Sequence, residues 1–304
     1  MNKNTTTAPK RGKKLIILLL ILIIAVIPVV YIRVNPKWTP AEITIKPSKT
    51  DYKVQYVNSE GMTLKSRITP PEGYSRVPVE SGSFAEYLRN YPLHPDKILL
   101  PVYNGDVRNT DSPAIFDISL GNEGYQQCAD SIIRLYSDYF YENQQFDKIS
   151  FEFSNGDVCN YNRWRKGKRM LALGDFSCEI PAGFPDDSEQ GYRNYLKAVM
   201  NYAGTLSLIN ESKSISTDEI RVGDIICDET HVVLIVDEAV NEKGEKVYLI
   251  GQSFIPAVCF HIVTTTNGDA ATPWFTQEQL AQESFTIDSF GFSKNNIRRW
   301  KDGF

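Results

Sequence analysis

Three polar side chains, far apart along the chain, are of the types that together carry out nucleophilic catalysis. Cys128 lies at the start of a segment, Gln127 to about Asn143, whose apolar residues recur at helical spacing. A thiol in the first turn of a helix lies among unpaired backbone N–H groups at the positive end of the helix dipole, and both favour the thiolate. His231 begins a predicted strand, and Gln252 ends the strand that follows it. Because an antiparallel neighbour reverses direction, we expect His231 and Gln252 at the same end of the sheet.

These positions predict a thiol hydrolase in which Cys128 is the nucleophile, His231 the base and Gln252 the group that orients the imidazole. Gln126 or Gln127 would then donate a hydrogen bond to the oxyanion. A packing role is the alternative, because cysteine is among the most buried residue types and Cys128 lies beside the apolar stripe of its helix. The sequence leaves both roles open.

The other histidines are assigned structural roles, and so is Asp237, although Asp237 could orient a histidine if its strand folds back. His94 and His261 show no partner pattern, and Asp237 is expected at the end of its strand beside a turn. The five cysteines contain no CxxC pair and the three histidines are scattered. The sequence therefore predicts no metal site, and it indicates no cofactor.

A second candidate is a binding site in a segment where basic and aromatic residues alternate. Its members are Tyr161, Arg163, Trp164, Arg165, Lys166, Lys168 and Arg169. Such residues bind phosphates or stack on sugars. The alternative is a solvated charged surface with Trp164 as a core anchor.

The elements that must position these residues predict an α+β domain. Apolar residues at helical spacing indicate helices at 83–91, 127–143 and 188–203, and the basic segment 160–169 is a helix or a loop. Alternating and β-branched runs predict strands at 98–103, 114–120, 149–153, 224–227, 231–237, 246–252 and 257–264. Asp130, Arg134 and Asp138 share one helix face, which predicts a solvent-exposed row of salt bridges. The simplest architecture is amphipathic helices packed on an antiparallel sheet.

The N-terminal segment has the character of a membrane anchor. Residues 15 to 32 carry no charge and are almost all Leu, Ile and Val, and a helix of that length covers about 27 Å, enough to cross a bilayer. Lys and Arg residues precede it, which places the N-terminus in the cytoplasm. A cleaved signal peptide is the alternative, but no small-residue cleavage site follows. We expect a cytoplasmic tail at 1–14, a transmembrane helix in the lipid bilayer at 15–34, a tether at 35–58 and an extracytoplasmic domain at 59–304, in the periplasm or at the cell surface.

The charge and the cysteine content limit the kinds of partner that the chain could bind and the disulfides that it could form. The net charge is −4, and the basic tail means that the outer part is more acidic still, which argues against nucleic acid as a partner. All five cysteines lie in the outer part, where disulfides are permitted. Because five is odd, at least one thiol is free or pairs with another chain.

Six ordered blocks of sequence resemble a known family. They are SFAEYLRNYPLHP at 83–95, YNGDV at 103–107, YQQCADSIIRLYSDYFY at 125–141, YNRWRKGKR at 161–169, YLKAVMNYAGTLSL at 195–208, and HVVLIVD with GQSFIPA at 231–237 and 251–257. They are similar to the extracytoplasmic family named domain of unknown function 4846, over about residues 60 to 300. The resemblance implies an envelope domain without a settled activity, often found behind a signal peptide or lipid anchor. This chain departs from it in its long apolar helix and in Val258, where the family is expected to have Gln.

The expected function is that of a membrane-anchored envelope protein, for which two hypotheses remain. The first is a thiol hydrolase that cleaves an amide bond in peptidoglycan, an envelope polymer, or in a peptide. The order Cys, His, polar and the Gly-Asp pair at 223–224 resemble papain-like and NlpC/P60-like cysteine hydrolases over few residues. The second is a non-catalytic binding or scaffold module. The hydrolase requires Cys128 to be reduced, accessible and within reach of His231, whereas the binding module permits its burial.

Overall fold

The computed structural model describes residues 54–95, 99–267 and 270–301. All of these belong to one compact unit of the chain, Lys46–Phe304. The predicted cytoplasmic tail and transmembrane helix, and most of the tether, lie outside the described residues. Within the described part of the chain, none of the helices combines the length and the apolar character that a membrane span needs.

Two long amphipathic helices and several short ones surround the sheet. The helices are α1 Leu64–Arg67, α2 Phe84–Arg89, α3 Cys128–Glu142, α4 Tyr161–Arg165, α5 Glu189–Tyr202, α6 Thr205–Asn210 and α7 Gln277–Leu280. The first turn of α5 is capped by Ser188, whose hydroxyl accepts a hydrogen bond from the backbone N–H of Gly191. The predicted helices at 83–91, 127–143 and 188–203 thus correspond to α2, α3 and α5, and the basic segment contains α4.

The strands are short except for two in the middle of the domain. They are β1 Tyr74–Arg76, β2 Leu100–Pro101, β3 Val107–Arg108, β4 Ser150–Glu152, β5 Val158–Asn160, β6 Arg169–Leu173, β7 Phe176–Ile180, β8 Ser212–Ser214, β9 Ile225–Cys227, β10 Val232–Asn241, β11 Lys246–Gln252, β12 His261–Ile262, β13 Thr265–Asn267, β14 Ala270–Thr272, β15 Trp274–Thr276, β16 Phe285–Ile287, β17 Phe290–Phe292 and β18 Ile297–Trp300. The pairs β2–β3, β4–β5, β6–β7, β13–β14 and β16–β17 form separate two-stranded hairpins.

The main sheet has eight antiparallel strands and is built around β10. Its order is β12-β11-β10-β9-β18-β8, with β1 added to β10 and β15 added to β11. The register places Val232 opposite Cys227 and Leu234 opposite Gly251. Helices beside an antiparallel sheet make this a mixed α/β domain, in agreement with the expected fold class.

The two faces of this sheet belong to different apolar cores. Successive side chains of a strand point to opposite faces. On β10, Val232 and Leu234 join the large core that contains the apolar side of α3 and α5, whereas Val233 and Ile235 join a smaller core with hairpin β16–β17. This alternation decides which face each candidate site residue occupies.

Several sequence predictions are wrong in detail, among them the strand predicted at 257–264, of which only His261–Ile262 forms a strand. The predicted strand at 114–120 contains only isolated bridges, Ile115 with His261 and Phe116 with Leu93, because its backbone hydrogen bonds are divided between residues 92–94 and residues 260–262. Asp130 and Asp138 of α3 are not solvated, since they are 5 % and 6 % exposed. Asp138 accepts hydrogen bonds from Tyr192 and Arg193, side chains of α5 that cover this helix face.

Gly251, next to the candidate site, is required by close packing. A Cβ at this position would lie 2.4 Å from Cε1 of Phe260, whose ring is fully buried. We expect Gly251→Ala to lower the free energy of unfolding by about 1–3 kcal/mol through overpacking. Urea unfolding measures this, with Gly291→Ala as the control, because a Cβ there meets no atom within 4 Å. Equal effects of the two substitutions would contradict the requirement for glycine at residue 251.

Candidate active site

The structure joins His231 and Gln252 at the end of the main sheet. Nε2 of His231 lies 2.9 Å from Oε1 of Gln252, within hydrogen-bond distance. His231 directly precedes β10, Gln252 is the last residue of β11, and these strands are antiparallel neighbours. Strand order alone therefore brings the imidazole and the amide together, as their positions in the sequence predicted.

An aromatic ring from the C-terminal part of the domain covers the imidazole. Phe290 stacks on His231 with ring centroids 3.6 Å apart and an interplanar angle of 12°. Only 2 % of His231 is exposed. Burial lowers the pKa of its ring to about 4, against the opposing effects of the hydrogen bond with Gln252 and of the carboxylates of Asp228 and Asp288. The imidazole is therefore neutral at pH 7.

Asp288 extends the pair into a chain of three side chains. Its Oδ2 accepts a hydrogen bond of 3.0 Å from Nε2 of Gln252. Asp288 lies in the turn of hairpin β16–β17, whose Phe290 stacks on the imidazole. Neither residue was predicted from the sequence, because no local pattern links a turn near residue 288 to a strand that starts at 232.

His261 is the other histidine near this pair. It lies opposite Gln252 in the register of β11 and β12, and its Nδ1 donates a hydrogen bond to the carbonyl of Cys259 at 2.9 Å. Its ring is 4 % exposed and its proximity opposes protonation of His231. The structural role expected for His261 remains a prediction.

Cys128 is the first residue of α3, as the sequence predicted. The residue is 8 % exposed and packs in the large core together with Val232. Burial raises the pKa of its thiol to about 11, and the carboxyl of Asp130 acts in the same direction. The backbone N–H groups of Ala129 and Val232 interact with the sulfur and partly offset this rise. In this state the proton stays on sulfur.

The structure thus places the thiol against the backbone of the residue that follows His231. The imidazole itself lies on Phe290, a residue packed against the smaller core, while Cys128 lies in the large core. No hydrogen bond joins the sulfur to the ring among the contacts of the described residues. The structure therefore brings His231 and Gln252 together and places Cys128 beside Val232, the residue after His231. The catalytic roles of Cys128, His231 and Gln252 stay a prediction.

Of the two glutamines predicted as oxyanion donors, Gln126 has an amide nitrogen that lacks an acceptor in the described part of the chain, and Gln127 does not. It is 3 % exposed, and its Oε1 accepts a hydrogen bond of 2.5 Å from Arg134. Its Nε2 is buried and has no acceptor among the described residues. A buried amide donor without an acceptor is costly, and a ligand oxygen would satisfy it. Gln127, in contrast, directs its amide nitrogen to the carbonyl of Gly124, at 3.5 Å.

A cavity adjoins the loop that follows Gln252. Its volume is about 590 Å³, and it is lined by residues 102–108 of the β2–β3 hairpin and by Pro256. Phe254, two residues after Gln252, contacts the ring of His261 and the guanidinium of Arg108. The loop therefore links the cavity wall to the end of the sheet where His231 lies.

The basic segment has most of its charges paired. Arg163 and Lys168 form ion pairs with Glu179, and Arg165 forms one with Asp187 at 2.6 Å. Such pairing leaves less positive charge for a bound anion than the sequence suggested. The role of this segment as a binding site stays a prediction.

Trp164 and Arg169, the remaining candidates for binding, are held by contacts within the domain. The indole is 8 % exposed and donates a hydrogen bond to the carbonyl of Gly191 at 3.2 Å. The guanidinium of Arg169 lies 4.3 Å from the centre of this ring. Trp164 is therefore a core residue in this structure, which is the alternative that the sequence left open.

The described part of the chain contains neither a metal-binding cluster nor a disulfide bond. There, no cluster of three His, Cys, Asp or Glu side chains is placed to hold a metal ion. All five cysteines are free thiols. Cys128 and Cys227 are close enough for the charge of one to raise the pKa of the other.

The lowered pKa of His231 predicts a pH-dependent stability. An unfolded histidine titrates near about 6.5, whereas His231 in the fold binds a proton only near pH 4. Between these values the unfolded state binds more protons, so the free energy of unfolding decreases as the pH falls from about 6.5 to about 4, by up to about 3 kcal/mol. Urea unfolding at pH 7 and pH 4.5 measures this. Between these two pH values the decrease in His231→Gln should be smaller by about 2 kcal/mol, and an unchanged decrease would show that His231 does not cause it.

Comparisons with known proteins identify the family of this chain. The fold is that of a mixed α/β domain with an antiparallel sheet, and its sequence matches the profile of one family across residues 64–299. The chain belongs to that family, which is described as a domain of unknown function (4846). Neither the curated proteins nor the solved structures contain a significant match.

Proposed function

We propose that this protein is a membrane-anchored thiol hydrolase that cleaves an amide bond in peptidoglycan or in a peptide. The observation that carries the proposal is the hydrogen bond between His231 and Gln252, at a strand start whose next residue, Val232, interacts with the thiol of Cys128. A nucleophile on a helix N-terminus, an imidazole on the adjacent strand and an amide that orients it are the parts of a papain-like or NlpC/P60-like site.

The proton starts on sulfur rather than on the imidazole. With the pKa of Cys128 raised to about 11 and that of His231 lowered to about 4, the resting pair is a neutral thiol and a neutral imidazole. His231 therefore acts as a general base during attack, since it accepts the thiol proton as the carbon–sulfur bond forms. Because the imidazole lies on Phe290 and the sulfur lies in the large core, the site is complete only after the start of β10 shifts and brings the ring to the sulfur.

The remaining steps use groups already in place. The tetrahedral oxyanion receives hydrogen bonds from Nε2 of Gln126 and from the backbone N–H groups at the start of α3. Collapse of this intermediate breaks the carbon–nitrogen bond, and His231 returns the proton to the leaving amine. Water then attacks the thioester on Cys128 with His231 again as base, which releases the carboxylic acid and restores the thiol.

The proposed location follows from the N-terminal segment. A transmembrane helix at 15–34 with a basic flank would hold the domain outside the cytoplasm, in the periplasm or at the cell surface. Peptidoglycan or an exported peptide would then be the polymer within reach. Tagging the C-terminus with a reporter that is active only outside the cytoplasm tests this orientation, and activity of a cytoplasmic reporter instead would refute it.

A binding or scaffold module is the second candidate, and burial is the observation that favours it. Cys128 and His231 are 8 % and 2 % exposed, so the resting site is closed. In such a module the cavity beside residues 102–108 would bind the ligand, and Cys128 would only pack. This function requires no exposure of the thiol.

An assay of hydrolysis by the full-length chain in detergent distinguishes the thiol hydrolase from the binding module. Purified peptidoglycan is incubated with the protein, and new free amines are quantified. We expect release by the unaltered chain and by Cys178→Ala, which removes a half-buried thiol far from the pair in sequence, and only residual release by Cys128→Ala. Binding of peptidoglycan without release of amines would favour the binding module.

A further inference from the structure

The turn of hairpin β16–β17 determines which nitrogen of His231 carries the proton. On the basis of the proposed function, we infer that Asp288 is a positioning residue that fixes the Nε2–H tautomer of His231 and leaves Nδ1 as the basic nitrogen of the ring. Two observations support this role, the chain of hydrogen bonds from Asp288 through Gln252 to the imidazole and the stacking of Phe290 on the ring.

The direction of the first hydrogen bond follows from the chemistry of its two groups. An ionised carboxylate only accepts hydrogen bonds, so Asp288 must face the NH₂ group of the Gln252 amide. The opposite orientation of the amide would place its carbonyl oxygen against the carboxylate, which is repulsive. Asp288 therefore selects one of the two orientations that the amide of Gln252 could otherwise adopt.

The second hydrogen bond then has only one direction. With its NH₂ group turned to Asp288, Gln252 presents Oε1 to His231, at 2.9 Å from Nε2. A carbonyl oxygen only accepts, so Nε2 must carry the hydrogen. Because the buried ring is neutral, its second nitrogen, Nδ1, holds a lone pair. None of the hydrogen bonds of the described residues involves Nδ1, which is thus available to accept the thiol proton.

The surroundings of the ring are consistent with a single neutral tautomer. Asp228 in the β9–β10 turn and Asp288 in the hairpin favour a proton on the ring, whereas His261 on β12 opposes it, and burial outweighs all three. Phe290 holds the ring plane by stacking at 3.6 Å. The hairpin therefore supplies both constraints, one on the ring's proton and one on its plane.

The conformation of the turn supports a specific role for Asp288. Its φ is +53°, in the left-handed region that most residues avoid and that glycine adopts without cost. Aspartate at this position, instead of glycine, places a carboxylate against the amide of Gln252. Ser289, the next residue of the same turn, is exposed and makes no hydrogen bond among those of the described residues.

Reversing the charge at residue 288 is the sharpest test. A lysine ammonium only donates, so Asp288→Lys should turn the amide of Gln252 around and present its NH₂ group to the imidazole. The matched control is Ser289→Lys, which adds the same group one residue away in the same turn. Nitrogen NMR of the full-length chain in detergent, labelled with ¹⁵N-histidine, reports which nitrogen of His231 is protonated.

We expect the Nε2–H form in the unaltered chain and in Ser289→Lys, and the Nδ1–H form in Asp288→Lys. Retention of Nε2–H in Asp288→Lys would overturn the inference. If Asp288→Lys does not fold, Asp288→Ala replaces it and should give a mixture of both tautomers, so a pure Nε2–H signal would again overturn the inference.

Kinetics separate this inference from the proposed function. We expect kcat for amide hydrolysis to fall roughly tenfold to a hundredfold in Asp288→Lys, because Nδ1 then carries a hydrogen and cannot accept the thiol proton. Recovery is expected in the double variant Asp288→Ala/Gln252→Glu, since a carboxylate at 252 accepts from Nε2–H without help. A tautomer change in a chain that hydrolyses nothing would support the positioning role and refute the hydrolase. Hydrolysis at an unaltered rate in Asp288→Lys would support the hydrolase and refute the positioning role of Asp288.

Discussion

Substitution of His231 by glutamine is expected to lower kcat/KM for amide hydrolysis on the order of a thousandfold, while the fold is retained. Glutamine has a volume close to that of histidine and fits beside Phe290, but its amide cannot accept the thiol proton. With the pKa of Cys128 raised to about 11, very little thiolate is present at pH 7, so the loss of the base affects nearly every molecule. Amine release from peptidoglycan at several substrate concentrations gives kcat/KM.

A double variant tests whether the thiol and the imidazole act as one unit. Residues that act in the same step have strongly non-additive effects, so Cys128→Ala/His231→Gln should be no less active than Cys128→Ala alone. Gln252→Ala should have a smaller effect than His231→Gln, because it loosens the imidazole without removing it. Additive losses from the two substitutions in the double variant would show that Cys128 and His231 contribute independently.

Asp237→Ala is expected to destabilise the domain by about 3–5 kcal/mol, the largest effect that we expect on stability. Asp237 lies within β10 and is fully buried, where its carboxylate pairs with Arg76 at 2.6 Å and with Arg89 at 2.7 Å. Its removal leaves two largely buried guanidinium groups without their shared counter-charge. The free energy of unfolding in urea at pH 7 is the measurement.

An exposed ion pair provides the control for Asp237. Glu123 pairs with Lys197 at 2.6 Å, but both side chains are about half exposed. Glu123→Gln should therefore cost less than about 1 kcal/mol. If Asp237→Ala cost no more than Glu123→Gln, the buried cluster would not contribute to stability as its geometry implies.

The sequence was sufficient where a local pattern and a short connection determine the structure. The apolar stripe after Cys128 predicted α3, and the strands predicted at 231–237 and 246–252, with a turn at 241–244 between them, predicted the hairpin β10–β11. Because two adjacent antiparallel strands bring a strand start next to a strand end, the pairing of His231 with Gln252 followed from the sequence alone.

Contacts between segments distant in sequence were not predictable. Asp237 was expected beside a turn, but β10 continues to Asn241, and two arginines from the first third of the domain neutralise it. Asp138 was expected in solvent because the sequence does not show that α5 packs over that face of α3. Likewise, no periodicity reveals that the turn containing Asp288 reaches Gln252, so the outer part of the candidate site emerged only from the structure.

The most direct test of the central proposal is to identify the covalent intermediate. The full-length chain is mixed with soluble peptidoglycan fragments, quenched in acid during turnover, and digested for mass mapping of all five thiols. We predict an acyl group on Cys128 and on no other cysteine, and its absence in Cys128→Ala. Amide hydrolysis that proceeds without an acyl group on Cys128, or at an unaltered rate in Cys128→Ala, would contradict the proposal.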